Sequence, residues 1–155
     1  MTSPEQSLIT DEHRAAVGRK SEPIEIVVKE EDARRIRDLL GDTDPRWAEG
    51  TGIAPPYIMA TLEPTLPWQM VPRVLPNGIL TQTEWRMKRH FRIGERLKAV
   101  HQVLDIRDRL GGRYGYSVLI TMTTDYFDEA GEHVASTLRT ITQFDPKGAR
   151  GGNEE

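Results

Sequence analysis

Residues 113–144 read RYGYSVLITMTTDYFDEAGEHVASTLRTITQF, and the reading of this stretch decides the fold. Two runs rich in Val, Ile, Thr, Tyr and Leu flank Asp128-Glu129-Ala130-Gly131-Glu132, an acidic tip with a glycine placed for a positive φ. That is a hairpin signal. β-branched and aromatic side chains suit a pleated, half-buried surface, so both runs read as strands. Similar segments lie upstream, at about Leu80 to His90 and Glu95 to Arg107, parted by Ile93-Gly94-Glu95 and closed by Leu110-Gly111-Gly112. Long strands joined by tight turns form an antiparallel meander. At roughly 11 to 15 residues they exceed the usual five or six, and strands of that length must curl around something.

The N-terminal half supplies what they curl around. Pro23-Ile24-Glu25-Ile26-Val27-Val28 alternates and reads as a short strand. Lys29-Glu30-Glu31-Asp32 places acids in the first turn of a helix, Ala33, Ile36, Leu39 and Leu40 recur at helical spacing, and Gly41 ends the run. An irregular stretch rich in Gly, Asp and Pro leads to Pro55-Pro56 and the apolar Tyr57-Ile58-Met59-Ala60-Thr61-Leu62. Proline opens helices well, because its missing N–H would have no partner there, so this segment reads as a short buried helix. Pro64, Pro67, Pro72 and Pro76 forbid a long regular element before about Asn77. Helices followed by a meander must pack on one face of the sheet, which predicts an α+β fold.

The chain has 155 residues, enough for one core. The organisation expected is a flexible polar arm over 1–20, a domain over 21–146 and a disordered Gly-rich tail over 147–155. A charged fraction of 29% against 37% hydrophobic residues describes an ordered, water-exposed protein. No run nears the roughly 20 apolar residues of a membrane helix, and 1–20 lacks the apolar core of a signal peptide, so a cytoplasmic protein without a membrane role is expected. A net charge of −3 argues against nucleic acid. With no cysteine there is neither disulfide nor thiolate, and no histidine pair has metal-ligand spacing, so no metal is predicted.

The run Arg92-Ile93-Gly94-Glu95-Arg96-Leu97, then Asp105-Ile106-Arg107, Gly112-Arg113 and Asp128 to Ala135, resembles the sheet of MaoC-like dehydratases. Gly41-Asp42-Thr43-Asp44-Pro45-Arg46-Trp47 and Gly52-Ile53-Ala54-Pro55-Pro56-Tyr57 resemble their N-terminal, fatty-acid-synthase-type dehydratase half. The resemblance spans roughly residues 18 to 144 and rests on order and spacing rather than on any one motif. It implies a single hot-dog fold, a curved antiparallel sheet around a central helix. The activity it implies is hydration of an enoyl thioester, or dehydration of the (R)-3-hydroxyacyl form. The carrier would be coenzyme A or an acyl carrier protein, with no further cofactor.

The family's catalytic half carries Asp-x-Asn-Pro-x-His, where Asp and His hold and deprotonate water. It also carries Ile-Ala-His-Gly, where a backbone N–H polarises the thioester carbonyl. In this chain Asp42 and Pro45 match the first pattern, Asp44 replaces the Asn, and Trp47 replaces the His. An indole accepts no proton. Ile53-Ala54-Pro55-Pro56 stands for the second pattern, and Pro56 has no N–H where the Gly would give one. The chain therefore reads as an accessory lobe that shapes an acyl pocket for a catalytic companion, with Trp47, Pro56, Tyr57, Met59, Trp68 and Met70 as candidate walls. Arg89 and Arg92, within the basic group Arg86, Lys88, Arg89, Arg92, Arg96 and Lys98, read either as a solvated strand edge or as a landing site for phosphates. Asp42 is the acid to test should the chain act alone, otherwise a local cap. His90 and His101 are secondary candidates. The alternatives are an acyl-CoA thioesterase using Glu63 or Asp42, and a non-enzymatic acyl-thioester-binding homodimer.

Overall fold

The computed structural model describes residues 6–148. In chain order the elements are α1 (Asp11–Arg14), β1 (Ile24–Val27), α2 (Glu30–Leu40), α3 (Met59–Leu62), β2 (Asn77–Met87), β3 (Arg96–Leu110), β4 (Tyr116–Phe127) and β5 (His133–Phe144). One antiparallel sheet has the order β1-β3-β4-β5-β2, so the long strand β2 is an edge. This is the α+β hot-dog arrangement expected: a curled sheet with few helices against its inner face.

The hairpin closes as its sequence predicts. Gly131 adopts φ 81°, its N–H meets Asp128 O at 2.9 Å, and the Asp128 carboxylate accepts the Glu132 N–H at 2.9 Å. The curl comes with three register shifts, between Val103 and Asp105, between Leu80 and Gln82, and at Tyr126 and Phe127, which pair with Ala135 and His133. An extra residue on one strand bends it and raises the local twist. β4 starts at Tyr116 rather than at Arg113, because Gly111 and Gly115 pair in the preceding turn at 2.7 Å.

Inward-facing side chains form two apolar clusters. The first joins Val28, Ala33, Ile58, Met59, Leu62, Phe91, Leu97, Tyr126 and Ala135, with α2 and α3 against the sheet. The second joins Ile9, Leu75, Val103, Ile106, Val118, Ile120, Met122 and Ile141. The acids of α2 stand in its first turn and Gly41 caps it in the left-handed region at φ 62°, as expected. Leu39 and Leu40, however, are exposed, and the buried face is Ala33 and Arg37.

The arm expected over 1–20 is corrected in its described part. Ile9 and Ala16 are buried, Leu8 N–H donates to the Tyr116 hydroxyl at 3.0 Å, Gly18 N–H reaches Val103 O at 2.8 Å, and Lys20 bridges to Gln102. No periodicity in this polar stretch announces it, yet Ile9 joins the second cluster. Of the tail, 147 and 148 lie in the 3-10 turn Pro146–Gly148, and the rest lies outside the described residues. Among the described residues no helix is long and apolar enough to cross a membrane.

Candidate functional site

The left-handed turn at Gly41 throws the chain back across α2 and delivers Asp42 to the start of the central helical segment. One Asp42 carboxylate oxygen accepts the Asp44 N–H at 2.9 Å. The other accepts the Trp47 indole N–H at 2.8 Å and the Tyr57 hydroxyl at 2.5 Å. Those three donors, the Tyr57 hydroxyl first, hold the Asp42 carboxyl below the usual carboxylate range. Tyr57 is pushed up to about 12 by burial and then by Asp42, so it stays a donor at neutral pH. Asp44 caps the 3-10 turn Pro45–Trp47 through the Arg46 N–H at 2.9 Å, and the Arg46 guanidinium lies 4.3 Å from the centre of the Trp47 ring. Buried Arg37 ties the knot to α2, donating to Trp47 O at 3.0 Å and to Glu30 at 2.8 Å.

Asp42, Trp47, Pro56 and Tyr57 thus come together, and His90 joins them with its ring 5.9 Å from that of Trp47. A general base needs a free lone pair aimed at water and a proton affinity near neutrality. Asp42 lacks the second, since three accepted hydrogen bonds stabilise its charge and hold its proton affinity below the usual carboxylate range. At the helix start Pro56 is the first residue of the 3-10 turn Pro56–Ile58 and offers no N–H. The first amide hydrogen there belongs to Tyr57.

The remaining candidates lie elsewhere. Met59 is wholly buried in the first cluster, Met70 packs against the second, and Trp68 stands on the Pro-rich segment at 64% exposure. Arg89 pairs with Glu95 and lies 3.6 Å from Asp128, pinning the turn before β3 to the β4–β5 hairpin. Arg92 is exposed, and its N–H is held by Glu95 at 3.0 Å. The shallow cavity beside Arg89 and Arg96 is also lined by Glu95, Asp128 and Glu129. Acids at that density compete with a phosphate for the arginines.

A buried polar row was not read from the sequence as a unit. His101, Thr124 and Thr137 are direct cross-strand neighbours on the inner face, and each is fully buried. His101 Nδ1 lies 2.8 Å from Thr124 Oγ1, which Arg139 reaches at 3.3 Å. Arg139 pairs with Glu63 just beyond α3, so the thioesterase candidate Glu63 is engaged as an ion-pair partner. Burial lowers Arg139 to about 10 and lowers His101 from its usual 6.5. The signal was periodicity: His101 is in phase with Ala99 and Val103, and Arg139 with Thr137 and Ile141.

A buried neutral histidine makes a sign-definite prediction. Its folded pKa is depressed, so below the unfolded value near 6.5 the unfolded chain binds a proton that the folded chain refuses. Stability is full above that pH and falls as pH drops. The melting temperature is expected to be flat from pH 8 to 7 and to decline below about 6.5. His101→Gln should remove part of the decline below about 6.5, and an unchanged slope would refute the assignment.

The sequence matches the FAS1-like, dehydratase domain region over residues 15–137. No curated protein matches it. Among solved structures, a chain of the ChsH1-ChsH2 complex from Mycobacterium tuberculosis is similar at TM-score 0.70 and 17% identity, covering 89% of this chain and 95% of that one. The R-hydratase PhaJ1 from Pseudomonas aeruginosa gives 0.57 and 22%, covering 83% and 82%. The HadBC (3R-hydroxyacyl-ACP dehydratase) complex from Mycobacterium tuberculosis gives 0.62 and 15%, covering 86% and 98%. At these identities the structures establish a shared hot-dog fold, and the match over most of the sequence establishes descent: the chain belongs to the FAS1-like dehydratase-region family.

Proposed function

We propose that this chain is an accessory, non-catalytic hot-dog subunit of an (R)-specific enoyl-thioester hydratase or 3-hydroxyacyl-thioester dehydratase, working in the cytoplasm. A companion lobe with an intact Asp-x-Asn-Pro-x-His segment does the chemistry. The observation that carries the reading is the Asp42 knot. Where a hydratase needs a base and an N–H, this chain has a carboxylate stabilised in its charged form by Asp44, Trp47 and Tyr57, an indole, and a proline. Loss of one oxyanion donor costs about 3 kcal/mol of transition-state stabilisation, and loss of the base adds to that.

Two further observations support a companion. Two of the similar structures are complexes of two subunits. The edge strand β2 also leaves inward-facing Leu80 and Trp85 at 56% and 43% exposure, while their cross-strand neighbours Ile141 and Thr137 are buried. Among the described residues the concave face is covered over β3, β4 and β5 and left open at Leu80 and Trp85 of β2.

The test is hydration of crotonyl-CoA, followed by loss of enoyl-thioester absorbance. The purified chain alone is expected to match buffer, and addition of a signature-bearing companion to give turnover. Substantial turnover by the lone chain would overturn the reading.

A further inference from the structure

Residues 63–76 run as a strap over the second apolar cluster, on which Leu66, Met70, Val71 and Val74 pack. Pro64, Pro67, Pro72 and Pro76 keep the strap free of α-helix and strand. Among the described residues no backbone-to-backbone hydrogen bond joins it to the sheet, and its two such bonds, Met70 to Pro67 and Val71 to Trp68, are internal. Side chains of β5 tie it down instead. Gln143 accepts the N–H groups of Val74 and Leu75 at 2.9 and 3.2 Å and donates to Pro72 O at 2.8 Å. At the other end Arg139 pairs with Glu63.

The Glu63 end is also where His101 meets the strap. Its ring is fully buried, with Nδ1 2.8 Å from Thr124 Oγ1 and Nε2 facing the Thr65 backbone without closing a hydrogen bond. Thr124 Oγ1 accepts an N–H of Arg139 at 3.3 Å, so its own hydrogen is free for Nδ1 and the neutral ring carries its hydrogen on Nε2. Around the ring stand Thr124 and Tyr126 from β4, Thr137 and Arg139 from β5, and Glu63 and Thr65 from the strap. Ser21, beside β3, accepts the His101 N–H on its Oγ at 2.9 Å. Of these only Arg139 and Glu63 are charged, since burial pushes Tyr126 up to about 12 and lowers Arg139 only to about 10. One cation faces one anion.

We propose that this end of the strap is an acid-released latch: a proton taken up by His101 frees residues 63–76 from the sheet while the strand ladders stay closed. The added proton puts a second cation one hydroxyl away from Arg139, with Glu63 as the one anion for both. It also asks Thr124 Oγ1 to accept from two neighbours and turn its own hydrogen away. A buried charge without a partner is costly, and letting water in relieves it. Lifting the strap breaks side-chain ties only, whereas parting β3 from β4 breaks a ladder of backbone bonds. Local opening takes the weaker route. Burial holds His101 below its usual 6.5 while the strap is closed, and the Thr65 backbone opposes that to a lesser extent. In the open strap the ring meets water and returns toward the ordinary value, so opening is favoured as pH falls below about 6.5. The latch is built from this chain alone and needs no companion.

The chain has no cysteine, so single introduced thiols report the strap. Leu66→Cys and Met70→Cys place a thiol where the strap packs on the second cluster, and Ala135→Cys places one in the first cluster, on β5. Reaction with an aromatic disulfide reagent that works in acid is followed from about pH 8 to about pH 5. Each rate is divided by that of the same variant unfolded in urea at the same pH. The two strap thiols should be protected at the upper end and gain up to about tenfold in relative rate per pH unit below about 6.5. The Ala135→Cys thiol should stay protected throughout. Adding His101→Gln should flatten the response, since glutamine keeps a neutral hydrogen-bonding side chain that takes up no proton. Strap thiols equally reactive across the range, whether fast or slow, would overturn the latch. So would a rise at Ala135→Cys in step with the strap, which is global unfolding, or a response that survives His101→Gln.

Discussion

Glu63→Leu is expected to destabilise the protein by about 3–5 kcal/mol, the cost of stranding one member of a buried ion pair. The stranded partner would be Arg139, whose side chain is 8% exposed. Burial lowers its pKa only to about 10, so it stays charged at neutral pH and cannot escape the penalty by losing a proton. The mirror change, Arg139→Met, should cost less. It strands Glu63, which is 21% exposed and can turn toward water, and methionine refills most of the volume. Glu63→Leu with Arg139→Met together should return close to the parent, because apolar groups of similar volume often replace a buried pair at little cost. At about 2–4 °C per kcal/mol for a chain of this size, the single change should lower the melting temperature by roughly 10 °C. Thermal unfolding of the four proteins checks it. Additive single changes, with no recovery in the double variant, would mean that the pair contributes nothing as a pair.

The same pair shows what was legible in the sequence and what was not. Strand type, the hairpin at 128–132 and the helix ending at Gly41 are local, carried by residues a few positions apart. All three appear in the structure within a few residues of their expected bounds. Residues 6–20 are different. Ile9 is buried in a cluster that includes Tyr116, 108 positions from the Leu8 amide that its hydroxyl accepts, and no local pattern announces such a contact. His101 occupies the inward phase of a strand otherwise apolar on that face, and Arg139 is in phase with buried Thr137 and Ile141, so the burial of both follows from alternation. Their partners come from other elements: Glu63 from the end of α3 and Thr124 from β4. Asp42 is subtler still. A capping role and a catalytic role require the same residue in the same turn, and only the positions of Trp47 and Tyr57 tell them apart.

On β2, Leu80→Lys combined with Trp85→Lys is expected to weaken assembly with a signature-bearing companion by a factor of about 100 or more, and to abolish the turnover of the mixture in proportion. Leu80 and Trp85 face inward, opposite Ile141 and Thr137, yet lie 56% and 43% exposed because none of the described residues covers them. An apolar residue held toward the core side of a sheet and left wet is a partner surface in waiting. A long edge strand with an unpaired backbone strengthens the case, since unblunted edges invite another strand. Aromatic anchors at the centre of an interface each carry about 2–4 kcal/mol, which sets the size of the loss. Lysine at both positions adds the cost of desolvating two charges while leaving the isolated fold intact, since both side chains already stand largely in water. Thermal unfolding of the variant alone should therefore match the parent, and sedimentation of the mixture should show two separate species. A double variant that still sediments as a complex would place the companion on another face.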